Sequence, residues 1–187
     1  MKVLPTKLSG VYIIEPQVFS DARGYFMETY HQRRYTENGI NCNFVQDNLS
    51  SSIRGTLRGL HYQINHGQAK LIQVVRGAIF DVTLDIRRGS PYFGQWTSVN
   101  LTGDNKRQVF ISEGFAHGFC VLSEVAEVVY KCTNFYVPED EGGILWSDPD
   151  LAIDWPVAEP LLSAKDSGLP RLADVPPERL PSYEADR

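Results

Sequence analysis

Residues 70–87 read KLIQVVRGAIFDVTLDIR. Within them AIFDVTLDIR (78–87) is the clearest strand of the chain. Phe80, Val82, Leu84 and Ile86 fall on one face and Asp81, Thr83 and Asp85 on the other, the two-residue period of a pleated strand. KLIQVV is a second strand-like run, and Arg76-Gly77 between the two predicts a hairpin turn. Downstream, GSPYFG (89–94) predicts a loop, QWTSVNL (95–101) a strand, GDNKR (103–107) a turn and QVFI (108–111) another strand. VAEVVYKCTNFYV (125–137) is long and rich in β-branched residues, and PEDEGG (138–143) ends it. Tyr130 would share its face with Ala126, Val128, Cys132, Asn134 and Tyr136.

Helical signals are few. HQRRYTEN (31–38), stopped by Gly39, is the best, and a second lies near Ser163–Ser167. The last 32 residues hold six of the eleven prolines, which cannot donate to a ladder, so segment 156–187 is expected to lie over the domain as irregular structure. Many short strands and few helices predict a mainly β fold, a sandwich or barrel. A jelly roll, with pockets opening between its sheets, suits the polar groups described next.

A chain of 187 residues suits a single domain spanning 1–187 that buries roughly 70% of its unfolded surface. The net charge of −5, with basic residues scattered among acidic ones, argues against non-specific nucleic-acid binding. MKVLPTKLSGVYIIEP is interrupted by Pro5 and Lys7, and no run reaches the roughly 18 apolar residues of a membrane span. Cys42, Cys120 and Cys132 are odd in number and lack metal-knuckle spacing, so a reduced cytoplasmic protein is expected.

The stretch TLRGLHYQINHGQAKLIQVV (56–75) places Arg58, His61 and Lys70 inside a strand-like apolar framework. Strict alternation would put Arg58 and His61 on opposite faces; a bulge at Gly59 would turn both toward one cavity. Each of these residues also has an ordinary structural reading. A strand histidine is commonly a satisfied core residue, and a strand-end lysine such as Lys70 snorkels to water. In GFAHGF (114–119) two glycines bracket His117 at a turn. FSDARGYFMETY (19–30) sets Arg23 and Glu28 around aromatics, and in FVQDNLSSS (44–52) Gln46, Asp47 and Asn48 could be turn chemistry alone. LLSAKDSG (161–168) places Lys165 beside Asp166, which in isolation reads as a solvated pair. No imidazole pair at i, i+2 stands at His61, so metal chemistry is disfavoured, and neither glycine-rich nucleotide motif is present.

Taken together and in order, FSDARGYFMETY, FVQDNLSSS, LRGLHYQ, QAKLIQVVRGAIFDVTLDIRRGSPYFGQW, GFAHGF, YKCTNFYVPEDEGGILWSDP, IDWP and LSAKD resemble the dTDP-4-dehydrorhamnose 3,5-epimerase family from about Gly10 to Asp166. INHG (64–67) departs from relatives that often carry a proline there. The resemblance implies a cupin-type jelly-roll barrel with a few short helices, usually a homodimer, acting without metal or cofactor. The substrate it implies is dTDP-4-dehydro-6-deoxy-D-glucose, and the product dTDP-4-dehydro-L-rhamnose. By position, His61 matches the family's base, Asp166 its carboxylate partner, Tyr130 the proton donor and Lys70 the residue at the keto oxygen. Arg23, Glu28, Gln46, Asn48, Arg58, His117, Glu141 and Lys165 match ligand-binding positions, and Tyr136 an aromatic at the thymine end. An epimerase acting on one carbon only would keep the same motifs. A 3,4-ketoisomerase of similar fold, a binding module without catalysis and a metal-dependent dioxygenase fit less well, the module because base and partner are both present.

Overall fold

The computed structural model describes residues 1–183. Strands β1 (Lys2–Pro5) and β2 (Val11–Glu15) come first, then a hairpin of β3 (Val18–Asp21) and β4 (Gly24–Met27), then helix α1 (Gln32–Glu37). Next are β5 (Gln46–Ile53), β6 (Leu57–Gln63), β7 (Lys70–Arg76) and β8 (Ala78–Asp85). They are followed by β9 (Trp96–Thr102), β10 (Gln108–Ile111), β11 (Phe115–Val121), β12 (Val125–Cys132), β13 (Glu141–Gly143) and the short helix α2 (Ala164–Ser167). One sheet runs β1-β2-β10-β7-β12-β5 and faces a second, β13-β6-β11-β8-β9. Most ladder neighbours are distant in sequence, which is jelly-roll connectivity.

Two strand expectations are corrected. β7 and β8 do not form a hairpin: β7 lies between β10 and β12 in one sheet, β8 between β11 and β9 in the other. The Arg76-Gly77 turn carries the chain across the barrel wall. Gly77 has φ +80, and a Cβ there would stand 2.1 Å from the Val125 carbonyl oxygen, so the crossing passes hard against the start of β12. β12 itself ends at Cys132 rather than running to Val137. Cys132 is paired with Gln46, the first residue of β5, and with Lys70, the first of β7, so the ladder has no partners beyond it. Residues 134–137 therefore leave the sheet, and Tyr136 reaches the site from a loop. Residues 46–48 are likewise edge strand rather than turn, since all of them lie in β5.

Alternation assigns the faces. Ile72, Val74, Ile79, Leu101, Val109, Phe119, Val121, Ala126 and Val128 form the core between the sheets. The other face of β8 is equally buried: Val82, Leu84 and Ile86 lie under Leu151, Leu172, Val175 and Leu180. The proline-rich segment thus covers the outside of the five-stranded sheet; its residues 184–187 lie outside the described ones. Arg88 holds it, its Nε donating to the Leu180 carbonyl at 3.2 Å. Across the barrel, Tyr35 of α1 packs with Ile14, Ile40, Leu71 and Phe110 on the outside of the six-stranded sheet. Among the described residues no helix is long and apolar enough to cross a membrane.

The bulge expected at Gly59 is present. His61 pairs with His117, but Arg58 pairs with Phe119, so two residues of β6 oppose the single Gly118 of β11. The extra residue brings Arg58 and His61 onto the barrel's inner face. Gly59 has φ +120, and a Cβ on it would lie 2.6 Å from Gly118 Cα and 2.7 Å from the His117 carbonyl oxygen. Gly59→Ala is expected to cost roughly 3 kcal/mol from overpacking and backbone strain together, lowering Tm by about 10 °C. Thermal unfolding followed by circular dichroism checks this; an unchanged Tm would mean the bulge has room the geometry denies.

Candidate active site

The inter-sheet core stops short of one end of the barrel, where β5 and β7 begin and β12 ends. Two adjoining cavities of about 260 and 310 Å³ open there and share His61, Lys70 and Tyr130 in their walls. Gln46, Asn48, Tyr136 and Glu141 line the first, and Arg58, His117, Lys165 and Asp166 the second. Eleven of the thirteen site residues expected from sequence therefore meet in one place, contributed by β5, β6, β7, β11, β12, β13, α2 and the loop after β12.

His61 projects from the five-stranded sheet and Tyr130 from the six-stranded one, so the two face each other across the opening. His61 Nε2 donates to Asp166 Oδ1 at 2.5 Å. A carboxylate only accepts, so this bond leaves the lone pair on Nδ1, which is turned toward Glu141 Oε1 at 3.9 Å. Asp166 is fixed in turn by the start of α2. The Ser163 hydroxyl donates to Asp166 Oδ2 at 2.8 Å, and the Asp166 amide donates back to Ser163 Oγ at 3.1 Å. Burial would raise the Asp166 pKa, but hydrogen bonds from His61 and Ser163 outweigh it and hold the carboxyl below its ordinary value.

Lys70 opens onto both cavities, and the desolvation of its ammonium lowers its pKa against the opposing pull of Cys132, Glu141 and Asp81. Burial raises the Tyr130 pKa, with Cys132 adding to it and Arg58 opposing. The phenol thus keeps its proton at neutral pH. Arg58 Nε donates to Ser52 Oγ at 3.1 Å, which orients the guanidinium and leaves its terminal nitrogens for a ligand. At the rim, the Tyr136 hydroxyl donates to Glu141 Oε2 at 2.6 Å and its amide donates to Gln46 Oε1 at 3.0 Å. That bond to Glu141 pushes the Tyr136 pKa up to about 12. Glu141 also pairs with Lys165. Burial would raise the Glu141 carboxyl, but its bonds from Lys165 and Tyr136 prevail and lower it.

Neither Arg23 nor Glu28 lines either cavity. The Arg23 side chain is 91% exposed on the β3–β4 hairpin and pairs with Asp21, and Glu28 pairs with Arg34. Three residues that sequence reading left out also belong to the site. Ser163 caps α2 and holds Asp166; the S-x-x-D spacing of a helix start is its signal. Cys132 lines the smaller cavity opposite Lys70. Asp81 bonds His117 at 2.8 Å, and its mark in the sequence was a carboxylate alternating into an otherwise apolar strand. Among the described residues no group of three His, Cys, Asp or Glu side chains is placed to hold a metal ion.

Comparison with known proteins gives one answer. The family model of dTDP-4-dehydrorhamnose 3,5-epimerase matches residues 5–174. The chain is 53% identical over 177 residues to the dTDP-4-dehydrorhamnose 3,5-epimerase of Shigella flexneri, covering 94% of this chain and 98% of that one. It is 42% identical to a dTDP-4-dehydrorhamnose 3-epimerase of Streptomyces niveus, over 94% and 86% of the two chains. Its fold superimposes with a TM-score of 0.96 on the Legionella pneumophila 3,5-epimerase solved with dTDP-4-keto-L-rhamnose, at 50% identity over 98% of this chain and 99% of that one. The barrel is thus a cupin-type jelly roll, and the chain belongs to the dTDP-4-dehydrorhamnose 3,5-epimerase family.

Proposed function

We propose that this enzyme inverts C-3 and C-5 of dTDP-4-dehydro-6-deoxy-D-glucose through enolate intermediates, giving dTDP-4-dehydro-L-rhamnose for dTDP-L-rhamnose synthesis. The observation that carries this reading is the opposition of His61 and Tyr130 across one cavity, with Lys70 in the same wall as Tyr130. The protons at C-3 and C-5 are both α to the C-4 carbonyl, so one acid–base apparatus serves both centres.

In each inversion His61 Nδ1 takes the α proton, and the C–H bonding pair becomes the enolate π system. Asp166 holds the ring in the tautomer that can accept and stabilises the imidazolium that forms. The Lys70 ammonium neutralises charge on the enolate oxygen. Tyr130 then delivers a proton from the opposite face, which inverts the carbon. The histidine is left protonated and the tyrosine deprotonated, and exchange with water restores both. Arg58 is oriented for a bidentate bond to a diphosphate oxygen pair, where a lysine would be only a point charge. Tyr136, held by Gln46 and Glu141, offers its ring face to thymine.

A proton NMR time course in D₂O tests the reaction. Loss of signal at both C-3 and C-5 is expected; exchange at one carbon alone would make this a single-centre epimerase, like the Streptomyces niveus relative.

A homodimer completes this reading. The outside of the six-stranded sheet carries a groove of about 460 Å³ lined by Leu49, Leu71, Val75 and Val129, and Leu49 is 67% exposed. The β3–β4 hairpin exposes Phe19, Tyr25 and Phe26. A second copy that covers these apolar surfaces would bring its own Arg23 and Glu28 toward this cavity. Phe26→Asp and Leu49→Asp are each expected to halve the mass seen by sedimentation and to weaken dTDP binding. A variant that stays at twice the chain mass would remove this interface.

A further inference from the structure

Asp81 and Asp85 stand four residues apart on the inner face of β8, with Thr83 between them, and both are buried. Asp85 is saturated. It accepts from the Arg87 amide and Nε on one oxygen, and from Arg87 Nη2 and the Ser90 hydroxyl on the other. Asp81 is 1% exposed and spends only Oδ2, which accepts from His117 Nε2 at 2.8 Å. Its Oδ1 is buried with no hydrogen-bond partner among the described residues. A buried carboxylate left half-satisfied is costly, and folding alone gives no reason to retain it.

We infer that Asp81 is a positioning residue for the epimerisation, setting the tautomer of His117 and serving as a counter-ion for Lys70. The inference rests on the epimerase reading above and concerns two groups of the same cavity. Because Asp81 only accepts, the His117 proton sits on Nε2, and Nδ1 is left as an acceptor for a sugar hydroxyl. His117 and His61 are register partners on β11 and β6, so two carboxylate-held imidazoles lie side by side over the sugar site.

The second role follows from what surrounds Lys70. Among the described residues, the titratable and charged groups around its cavity are Arg58, His61 and Tyr62 from β6, Asp81 from β8, His117 from β11, Tyr130 and Cys132 from β12, Tyr136 from the loop after it, Glu141 from β13, and Lys165 and Asp166 from α2. Only Cys132, Glu141 and Asp81 raise the Lys70 pKa against its desolvation. The Cys132 thiol is itself pushed up by burial and so stays neutral, and Glu141 Oε2 is engaged by Tyr136 and Lys165. Glu141 Oε1 is turned toward His61 Nδ1 at 3.9 Å, whereas Asp81 is fully buried and its Oδ1 has no partner among the described residues.

The test is Asp81→Asn, which keeps the shape and removes the charge. Lys70 is read by trace acetylation with acetic anhydride across pH, followed by peptide mass spectrometry. His117 is read by its ring ¹⁵N shifts. The Lys70 titration midpoint is expected to fall by roughly 1 pH unit, as when a close opposite charge is lost. The His117 proton is expected to move partly to Nδ1, since the amide can donate to Nε2. Turnover should fall about 10²-fold, the cost of a wrong tautomer being of this order or larger. Asp81→Ser carries the same Lys70 readout should the asparagine variant not fold. An unmoved Lys70 midpoint or an unchanged His117 tautomer overturns the inference. Neither readout needs turnover, so wild-type enzyme that exchanged neither sugar proton would count against the epimerase reading and leave these two results standing on their own.

Discussion

Replacing His61 with alanine is expected to lower kcat by about 10⁴-fold, the upper range for a positioned base, while dTDP binds within roughly threefold of wild type. Glu141 is not free to take its place, being committed to Tyr136 and Lys165, and the second imidazole, His117, is a separate group whose Nδ1 is assigned to a sugar hydroxyl. Alanine would also strip Asp166 of its shortest hydrogen bond and leave a buried carboxylate with the Ser163 cap alone, so stability should fall with activity. His61→Asn separates the two effects, because its amide can still donate to Asp166. It should recover most of the lost Tm and none of the turnover. Arg58→Ala should behave in the opposite way. Losing a charge-assisted pair of bonds to diphosphate costs about 2–3 kcal/mol, or roughly 30–150-fold in dTDP affinity, with a smaller effect on kcat. Calorimetric titration with dTDP and single-turnover kinetics on the three variants measure both quantities. Equal dTDP affinity in the His61 and Arg58 variants would undo the division between a chemical end and an anchoring end of the cavity.

The parts of this molecule that could be read from sequence are those whose information is local. The alternation in β8, the bulge at Gly59 and the short helix at Asp166 each depend on a handful of consecutive residues, and each is found where expected. What could not be read depends on partners far along the chain. Nothing local in VAEVVYKCTNFYV marks Cys132 as its last paired residue; the strand stops because β5 and β7 both start opposite it. Arg76-Gly77 has the chemistry of a tight turn, but whether the next strand folds back or crosses to a facing sheet is decided by β10, β11 and β12. Asp81 shows the same limit at the site. Alternation grouped it with Thr83 and Asp85 as a polar face, yet Asp85 is satisfied within five residues, at Arg87 and Ser90, whereas the partner of Asp81 comes from position 117. Arg23 and Glu28 lie further out still, since among the described residues they pair with Asp21 and Arg34 and have no place at the cavity.

Lys70→Met should separate function from stability in one variant. Turnover is expected to fall about 10²–10³-fold, the usual loss when a donor to a developing oxyanion is removed. Stability is expected to move the other way. Desolvation holds the folded pKa of Lys70 below its ordinary value of 10.5, so between the two values the unfolded chain binds the extra proton. Stability therefore rises with pH through that window, and below it the cost of burying the ammonium is fully present. At neutral pH methionine, of similar length and uncharged, removes that cost, and Tm should increase. The same lowered pKa places a limit on activity: wild-type kcat/KM should decline on the alkaline side below pH 10.5, as the ammonium assigned to the enolate oxygen in the proposed mechanism loses its proton. Thermal melts and pH–rate profiles of the two proteins decide this. A methionine variant both inactive and less stable would mean that Lys70 is held by partners strong enough to repay its burial, and that the ammonium is a structural group first. A more stable, inactive variant would identify it as a charge the fold tolerates for the reaction alone.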